Sequence, residues 1–231
     1  VLPEQANGQA EQVTEIDRTM LANWAGRIAF QLAPITDAMI DELKASDRLF
    51  ADETTVPVLA PRTGKTRKDY LWAVVRDQRG WGGGDPPIVV FQHSRSRSAE
   101  TAKKIFTGFK GGSLTVDGYA GYDALGDPKK TNQPWGITYC WTHWRRRFVE
   151  YSRTTSSPIC TEMKERIGQL YRIEAEIRGN APDVRCAIRQ KLSKPIVDAL
   201  RPWLEAQLDM LSSSSDLTRH IKYGLKRWDG L

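Results

Sequence analysis

The stretch LFADETTVPVL, residues 49–59, decides the fold of the first half of the chain. Its β-branched and apolar residues favour a strand, and successive side chains of a strand point to opposite faces. Phe50, Asp52 and Val56 therefore share one face, whereas Glu53 points to the other. This alternation puts Asp52 on the more apolar face, where an unpaired carboxylate would be costly or would change its pKa. The sequence therefore predicts a positive charge beside Asp52.

Four more segments with strand-like composition follow this one. Turn-forming residues separate the first three strands, and a helix capped by Ser98 separates the third strand from the fourth. The predicted strands after the first span residues 70–77, 88–92, 113–117 and 136–140. The order along the chain is thus three strands, a helix, two strands and then helices. If the sheet is mixed and ordered three-two-one-four-five, strands one and four are neighbours.

Helices are predicted on both sides of the strand region. Apolar residues at helical spacing run from Ile16 to Leu43, with Asp17 as a plausible N-cap and Pro34 as a break or kink. Beyond Ser157 the apolar spacing is helical throughout, which predicts packing helices and no cofactor-binding segment.

Composition and charge restrict the class of protein. The chain has 231 residues, with 34 Lys and Arg against 28 Asp and Glu, which mildly favours a polyanionic partner. Three cysteines suit a reducing cytoplasm better than a disulfide framework. No apolar run is long enough for a membrane span. No secretory leader opens the sequence, although a chain that starts at Val1 says little about its native start.

Asp52 and Asp117 form the first candidate site. Asp52 lies within the first strand, and Asp117 ends the fourth strand 65 residues later. If these strands are neighbours, both carboxylates converge on one spot, where they would repel each other unless a divalent cation lay between them. Mg²⁺ suits such oxygen ligands and keeps several waters for substrate phosphates. The alternative is an arginine paired with Asp52, with Asp117 capping the turn that follows it.

Cys140 and His143 stand at the start of a basic helix expected at about 141–151. They could form half of a zinc site, but no second pair accompanies them, and a structural or packing role is favoured. Two groups of arginines have two interpretations, contacts with backbone phosphates or a solvated face. These arginines are Arg95, Arg97, Arg145, Arg146 and Arg147.

Several of these stretches, in the same order, resemble the transposases of the sixty-six group of bacterial insertion sequences. The resemblance covers about residues 17–231, and it is specific because many motifs agree. It is carried by LFADETTVPVL, GKTRKDYLWAVVRD, VVFQHSRSRSAETAKKIFTGFKGGSLTVDGYAGYDAL, CWTHWRRRF, IGQLYRIEAEIRG, RQKLSKPIVDAL and IKYGLKRWDGL.

The resemblance implies an α/β fold, namely an RNase H-like mixed five-stranded sheet with flanking helices and an all-helical insertion after the fifth strand. Residues 46–157 would form this catalytic core. Residues 158–231 would form the insertion and the start of the return to the core. Residues 1–45 would be a polar arm and the remnant of a helix-turn-helix region.

The implied activity is metal-dependent cleavage of phosphodiester bonds at insertion-sequence ends, followed by strand transfer. Asp52 and Asp117 would be the first two acids of a triad of two aspartates and a glutamate that binds two Mg²⁺ or Mn²⁺ ions. Cys140 and His143 match a Cys-x-x-His signature that several transposase groups share. The implied partners are terminal-repeat and target DNA in the bacterial nucleoid, and further copies of the chain in the transposition complex.

One departure from the family pattern concerns the third acid. In the family, the segment with the catalytic glutamate follows RWDGL, and this sequence stops at Leu231. Glu150, Glu205 and Asp229 lie outside that motif, so none of them is nominated. We therefore expect weak metal binding and little or no activity. The rival hypotheses are a basic module that binds DNA or a partner subunit without cutting, and an RNase H-like nuclease that cuts without joining.

Overall fold

The computed structural model describes residues 17–132 and 134–231, and the predicted polar arm at the start of the chain lies outside these residues. The chain divides into two units at residues 39 and 40. The first helix, α1, spans Arg18–Lys44, and the Asp17 carboxylate caps it by accepting a hydrogen bond of 2.7 Å from the Met20 N–H. Pro34 lies inside α1 and does not end it, because one missing N–H removes only one hydrogen bond of the helix.

Five strands form one mixed sheet. They are β1 (Arg48–Ala60), β2 (Lys65–Arg76), β3 (Ile88–Ser94), β4 (Ser113–Val116) and β5 (Gly136–Tyr139). Their order in the sheet is β3-β2-β1-β4-β5, with antiparallel pairs from β3 to β1 and parallel pairs from β1 to β5. The mixed order considered from the sequence is therefore confirmed, and β1 and β4 are neighbours.

One face of the sheet, here called the closed face, holds the core of the strand region. Leu49 and Ala51 of β1 are buried on it together with Trp72 of β2. Two short helices follow β3 and β4 in the chain, α2 (Ala99–Ile105) and α3 (Asp123–Gly126). Ser98 caps α2, as predicted, and the Tyr122 ring just before α3 meets the Trp72 ring edge-on at 5.6 Å between centroids.

The second half of the chain forms a separate apolar core between helices. These helices are α4 (Trp141–Thr154), α5 (Pro158–Glu176), α6 (Pro182–Ile188), α7 (Lys194–Asp209) and α8 (Asp216–Leu225), with a wide turn of helix at Arg189–Ser193 between α6 and α7. Trp144 of α4 is fully buried and donates its indole N–H to the His220 carbonyl at 2.9 Å. Gly224 of α8 lies against this indole so closely that a Cβ there would be 2.1 Å from a ring carbon.

The architecture is an α/β fold with a mixed five-stranded sheet and flanking helices, consistent with an RNase H-like fold. Among the described residues, no helix combines the length and the apolar character needed to cross a bilayer.

Candidate active site

Asp52 and Asp117 lie at one end of two neighbouring parallel strands. The ladder between β1 and β4 pairs Arg48 with Ser113 and Phe50 with Thr115, an offset of 65 residues. The same offset, extended two residues beyond the last pair, carries Asp52 to Asp117. Because residues two apart on a strand share a face, Asp52 lies on the face of Phe50, and Asp117, the first residue after β4, continues the face of Thr115. We call this the open face.

The open face leaves Asp52 largely accessible, with 58% of its side chain exposed. The prediction that Asp52 lies on the more apolar face is therefore wrong, because Leu49 and Ala51 are buried on the other face. Glu53 lies on the closed face instead, and its side chain is only 1% exposed. Alternation correctly separates the two acids, but helix packing decides which face becomes the interior. The apolar residues Val56 and Val58, which suggested the opposite assignment, lie farther along the β1–β2 hairpin and are only partly buried.

A positive charge does stand beside Asp52, and a histidine supplies it. His143 Nε2 lies 3.6 Å from Asp52 Oδ2, while Oδ1 accepts a hydrogen bond of 3.0 Å from the Glu53 N–H. The interaction with His143 is the main cause that lowers the pKa of Asp52, and burial opposes it. The cation beside Asp52 is thus His143, and not the arginine that the sequence analysis considered as an alternative.

Glu53 also lies beside the candidate site, although the sequence analysis did not include it among the site residues. Its carboxylate accepts a hydrogen bond of 2.6 Å from the Tyr122 hydroxyl and forms an ion pair with Arg97. Burial is the largest influence on Glu53 and raises the pKa of its carboxyl despite these partners. The signal available in the sequence was the second acid of the DET triplet, which alternation assigns to the opposite face from Asp52.

Asp117 caps the turn that follows β4, as the sequence alternative proposed. Its Oδ1 accepts a hydrogen bond of 2.7 Å from the Tyr119 N–H, and its Oδ2 lies 4.0 Å from Arg97 Nη2. Gly118 takes a positive φ of 83°, and its carbonyl accepts two hydrogen bonds from the Arg227 guanidinium at 2.6 and 3.1 Å. The end of the α8 region is therefore tied to the turn that carries Asp117.

Cys140 and His143 lie at the N-terminal end of α4, directly facing β1. Burial alone would raise the pKa of the Cys140 thiol, but the nearby His143 and neighbouring backbone N–H groups lower it to about 7. Asp52, followed by Cys140, raises the pKa of His143 to about 10. The imidazole is therefore a cation near neutral pH, and its Nδ1 is buried without a hydrogen-bond partner in the described part of the chain.

The five nominated arginines are not equivalent. Arg97 lies under the site, where it contacts Glu53 and stacks on the Tyr119 ring at 3.8 Å. Arg147 stacks on Tyr223 at 3.9 Å. Arg95 and Arg146 are exposed, whereas Arg145 is partly buried. A shallow cavity at this end of the sheet is lined by Asp117, His143, Arg146, Arg147, Glu150, Tyr151, His220 and Tyr223.

The donor set fits a hard divalent cation that keeps much of its water. Each aspartate uses one oxygen for a backbone N–H and turns the other toward a protein cation, His143 or Arg97. Across residues 17–132 and 134–231, no cluster of three or more His, Cys, Asp or Glu side chains could hold a metal ion. Mg²⁺ is commonly bound through one or two carboxylates plus water and substrate phosphates. Asp52 and Asp117 alone would therefore supply only part of a coordination shell.

Comparison with known proteins gives one family and several relatives. The model described as "Transposase IS66 family" matches residues 2–231. Uncharacterized protein y4qI of Sinorhizobium fredii (strain NBRC 101917 / NGR234) is 36% identical over 220 residues, covering 94% of this chain and 41% of that protein. Uncharacterized protein y4jD of the same strain is 36% identical over 218 residues, covering 94% of this chain and 42% of that protein. The chain thus spans about two fifths of the length of the curated relatives it matches.

Proposed function

The chain belongs to the IS66 transposase family, and we propose that it carries two acids of a DNA transposase site, Asp52 and Asp117. The reaction would be cleavage of phosphodiester bonds at insertion-sequence ends, followed by transfer of those ends to target DNA. The observation that supports this proposal is the shared 65-residue offset of β1 and β4, which aligns the two carboxylates on one face. Transposition by the whole protein, with DNA and further copies of the chain as partners, is part of the same proposal.

Asp52 and Asp117 would hold Mg²⁺ or Mn²⁺ at this end of the sheet. When bound, such an ion activates the attacking hydroxyl or water and stabilises the leaving oxygen of a phosphodiester. His143 and Arg97 would neutralise the carboxylates before the ion arrives, since each cation lies within 4.0 Å of one of them. The exposed Arg95 and Arg146 would bind DNA phosphates, with Arg145 and Arg147 beside them. Cys140 would orient His143.

We further propose a three-part division of the chain. Residues 46–157 would be the catalytic core, and residues 158–231 the helical insertion and the return toward the core. The apolar core that α5, α7 and α8 form around Trp144 and Phe148 of α4 supports the insertion as a helical layer packed onto the end of the catalytic core. Residues 1–45 would be the segment that precedes the core.

Manganese titration of the chain tests the metal assignment. Electron paramagnetic resonance of Mn²⁺ should detect weak binding to the wild-type chain and none to the Asp52→Asn or Asp117→Asn variants. Asp209→Asn is the matched control, because Asp209 is exposed at the end of α7, away from both strands. Equal Mn²⁺ binding by all four proteins would refute the assignment of the two acids.

A strand-transfer assay with the full-length protein tests the reaction itself. Labelled insertion-sequence ends, a target plasmid and Mn²⁺ should give joined products that Asp52→Asn abolishes. Cut ends without joined products would instead identify a nuclease of the RNase H-like class.

One observation favours a second candidate, a basic module that binds DNA without cutting it. Both aspartates already face a protein cation, and no third carboxylate completes a metal-binding group in the described residues. This candidate predicts DNA binding that is indifferent to Mn²⁺ and unchanged by Asp52→Asn. The proposed transposase site predicts the opposite result for Mn²⁺.

A further inference from the structure

We propose that a groove on the open face, distinct from the Asp52 and Asp117 site, binds the phosphates of a DNA strand. We call it the arginine groove and define it by Arg48, Phe50, Trp81, Arg178, Arg185 and Arg189. The assignment of DNA as the ligand rests on the proposed function, whereas the inference that the groove binds a polymer of phosphates does not.

Two parts of the fold build the arginine groove. The floor is the sheet, where Phe50 of β1 pairs with Val75 of β2, and Arg48 lies two residues earlier on the same face. The wall is the segment from the end of α5 to the wide turn after α6, which contributes Arg178, Arg185 and Arg189. The groove therefore exists only because the helical insertion folds back over the sheet.

The groove continues past the sheet's centre instead of closing around a single ion. A second cavity shares Arg48 and Arg189 with it and extends to Thr115 and Thr138 on β4 and β5. The two cavities measure about 480 and 540 Å³, many times the roughly 10–15 Å³ that a cavity needs to hold one water. An extended ligand fits this shape better than a lone anion does.

The lining of the two cavities is strongly basic. Five cationic side chains line them, from Arg48, Arg178, Arg185, Arg189 and Lys194, against two carboxylates, Asp77 and Glu174. This leaves a formal excess of three positive charges (5 − 2) in the lining. An anionic polymer is the class of ligand that such a surface attracts.

Several of the arginines retain unused donors. Glu174 accepts hydrogen bonds from Arg185 and Arg189 at 2.6–2.9 Å, which orients both guanidinium groups. Arg185 is only 9% exposed, and its Nε is buried without a partner in the described residues. The Arg178 side chain is exposed and forms no side-chain hydrogen bond within residues 17–132 and 134–231, and it contributes to the lowered pKa of Asp77 only as the smallest cause, after Arg79. Planar guanidinium groups with free N–H donors match phosphate oxygens in pairs.

The aromatic residues of the groove suit a nucleotide chain as well. Trp81 supports the Arg48 guanidinium, which lies 4.7 Å from the ring centroid, and Phe50 offers a partly exposed ring on the floor. Arginine and aromatic side chains together bind the backbone and the bases of single strands. Arg48 precedes Asp52 by four residues of β1, a distance of about 13 Å along the strand. The arginine groove therefore leads along β1 toward the two acids.

Fluorescence anisotropy of labelled duplex and single-stranded oligonucleotides, without metal, tests the inference on the whole chain. We expect Arg178→Ala and Arg48→Ala each to weaken binding several-fold and to lower the salt slope by about 0.9 for duplex or 0.7 for single strands, the value for one lost phosphate contact. Arg172→Ala is the matched control, since Arg172 is an exposed arginine of α5 that pairs with Glu165 and lies outside both cavities. The control should keep the wild-type slope. Circular dichroism should show all three variants folded.

The remaining outcomes separate this inference from the proposed function. If both groove variants behave like Arg172→Ala while Arg146→Ala weakens binding, the groove proposal is wrong and the DNA function stands. If the wild-type chain binds neither oligonucleotide at low salt, the groove proposal fails together with the assignment of Arg95 and Arg146 to DNA binding. Displacement of the oligonucleotide by inorganic phosphate at equal concentration would identify a small-anion site and would also overturn the inference.

Discussion

The two faces of β1 differ in how their charged side chains are paired and exposed. On the closed face, the Glu53 carboxylate is 1% exposed and has two partners from the protein itself, Tyr122 and Arg97. On the open face, Asp52 is 58% exposed and keeps an oxygen turned toward a single histidine. A buried charge must be paired internally because desolvation is costly. The closed face thus stabilises the fold, whereas the open face leaves Asp52 accessible to solvent.

The largest expected effect is on the closed face, at Trp72. Its side chain is fully buried, meets Tyr122 edge-on and donates its indole N–H to the Ser96 carbonyl at 3.3 Å. Replacement of a buried tryptophan by alanine leaves a large cavity, so Trp72→Ala should lower the free energy of unfolding by about 3–5 kcal/mol. Urea denaturation followed by circular dichroism measures this loss.

The open-face control for Trp72 is Phe50→Ala. Phe50 is only partly buried on the floor of the arginine groove, so its removal should cost clearly less free energy of unfolding than that of Trp72. Equal losses for the two variants would show that both faces of the sheet are equally part of the core.

The adjacent acids give the second comparison. Glu53→Ala removes the acceptor of the Tyr122 hydroxyl and the counter-ion of Arg97, and should cost about 2–3 kcal/mol because two polar groups lose a buried partner. Asp52→Ala should cost about 0–1 kcal/mol, as expected for an exposed pair. Chemical denaturation of both variants checks the difference, and a larger loss for Asp52→Ala would reverse the assignment of the faces.

Tyr122→Phe probes one bond of the closed-face network. The hydroxyl donates at 2.6 Å to Glu53, and a hydrogen bond to a charged group is worth about 1.5–3 kcal/mol. In a double-mutant cycle with Glu53→Ala, the two losses should not add, because both variants remove the same interaction. Additive losses in thermal or urea unfolding would show that the hydroxyl and the carboxylate act independently.

Local patterns in the sequence predicted the elements of the fold well. The strand positions follow from β-branched runs between turn residues, and Asp17 and Ser98 cap helices as their residue types suggest. Each of these features depends on neighbours within a few residues of the chain. The proximity of Asp52 and Asp117 could also be predicted from the sequence, because the sheet order three-two-one-four-five makes their strands neighbours.

The parts that the sequence did not predict depend on tertiary packing. Strand alternation separates Asp52 from Glu53, but only the packing of the residues around Tyr122 makes the Glu53 face the interior. Likewise, α4 brings His143 to Asp52 from a distant part of the chain. The arginine groove has the same origin, because its wall and floor come from segments with no local relation.

The smallest expected effect is a change in the pKa of the His143 imidazole on the open face. Asp52 is the main cause that raises the pKa of His143 from 6.5 to about 10, followed by Cys140, while burial opposes both. Because the folded-state pKa is above the unfolded value, the contribution of His143 to stability is complete below pH 6.5 and is lost as the pH rises through about 10. The lowered pKa of Asp52 has the opposite sign, so its contribution is lost only in acid, as the pH falls through its folded-state pKa.

NMR titration of the His143 ring measures this coupling directly. Asp52→Asn should move the pKa of His143 back toward 6.5, and Cys140→Ser should move it less, because Asp52 is the larger cause. An unchanged value in Asp52→Asn would mean that the imidazole has no carboxylate partner on the open face. The expected result would show that one exposed aspartate sets the charge of its neighbour, whereas Glu53 on the closed face needs two partners to remain buried.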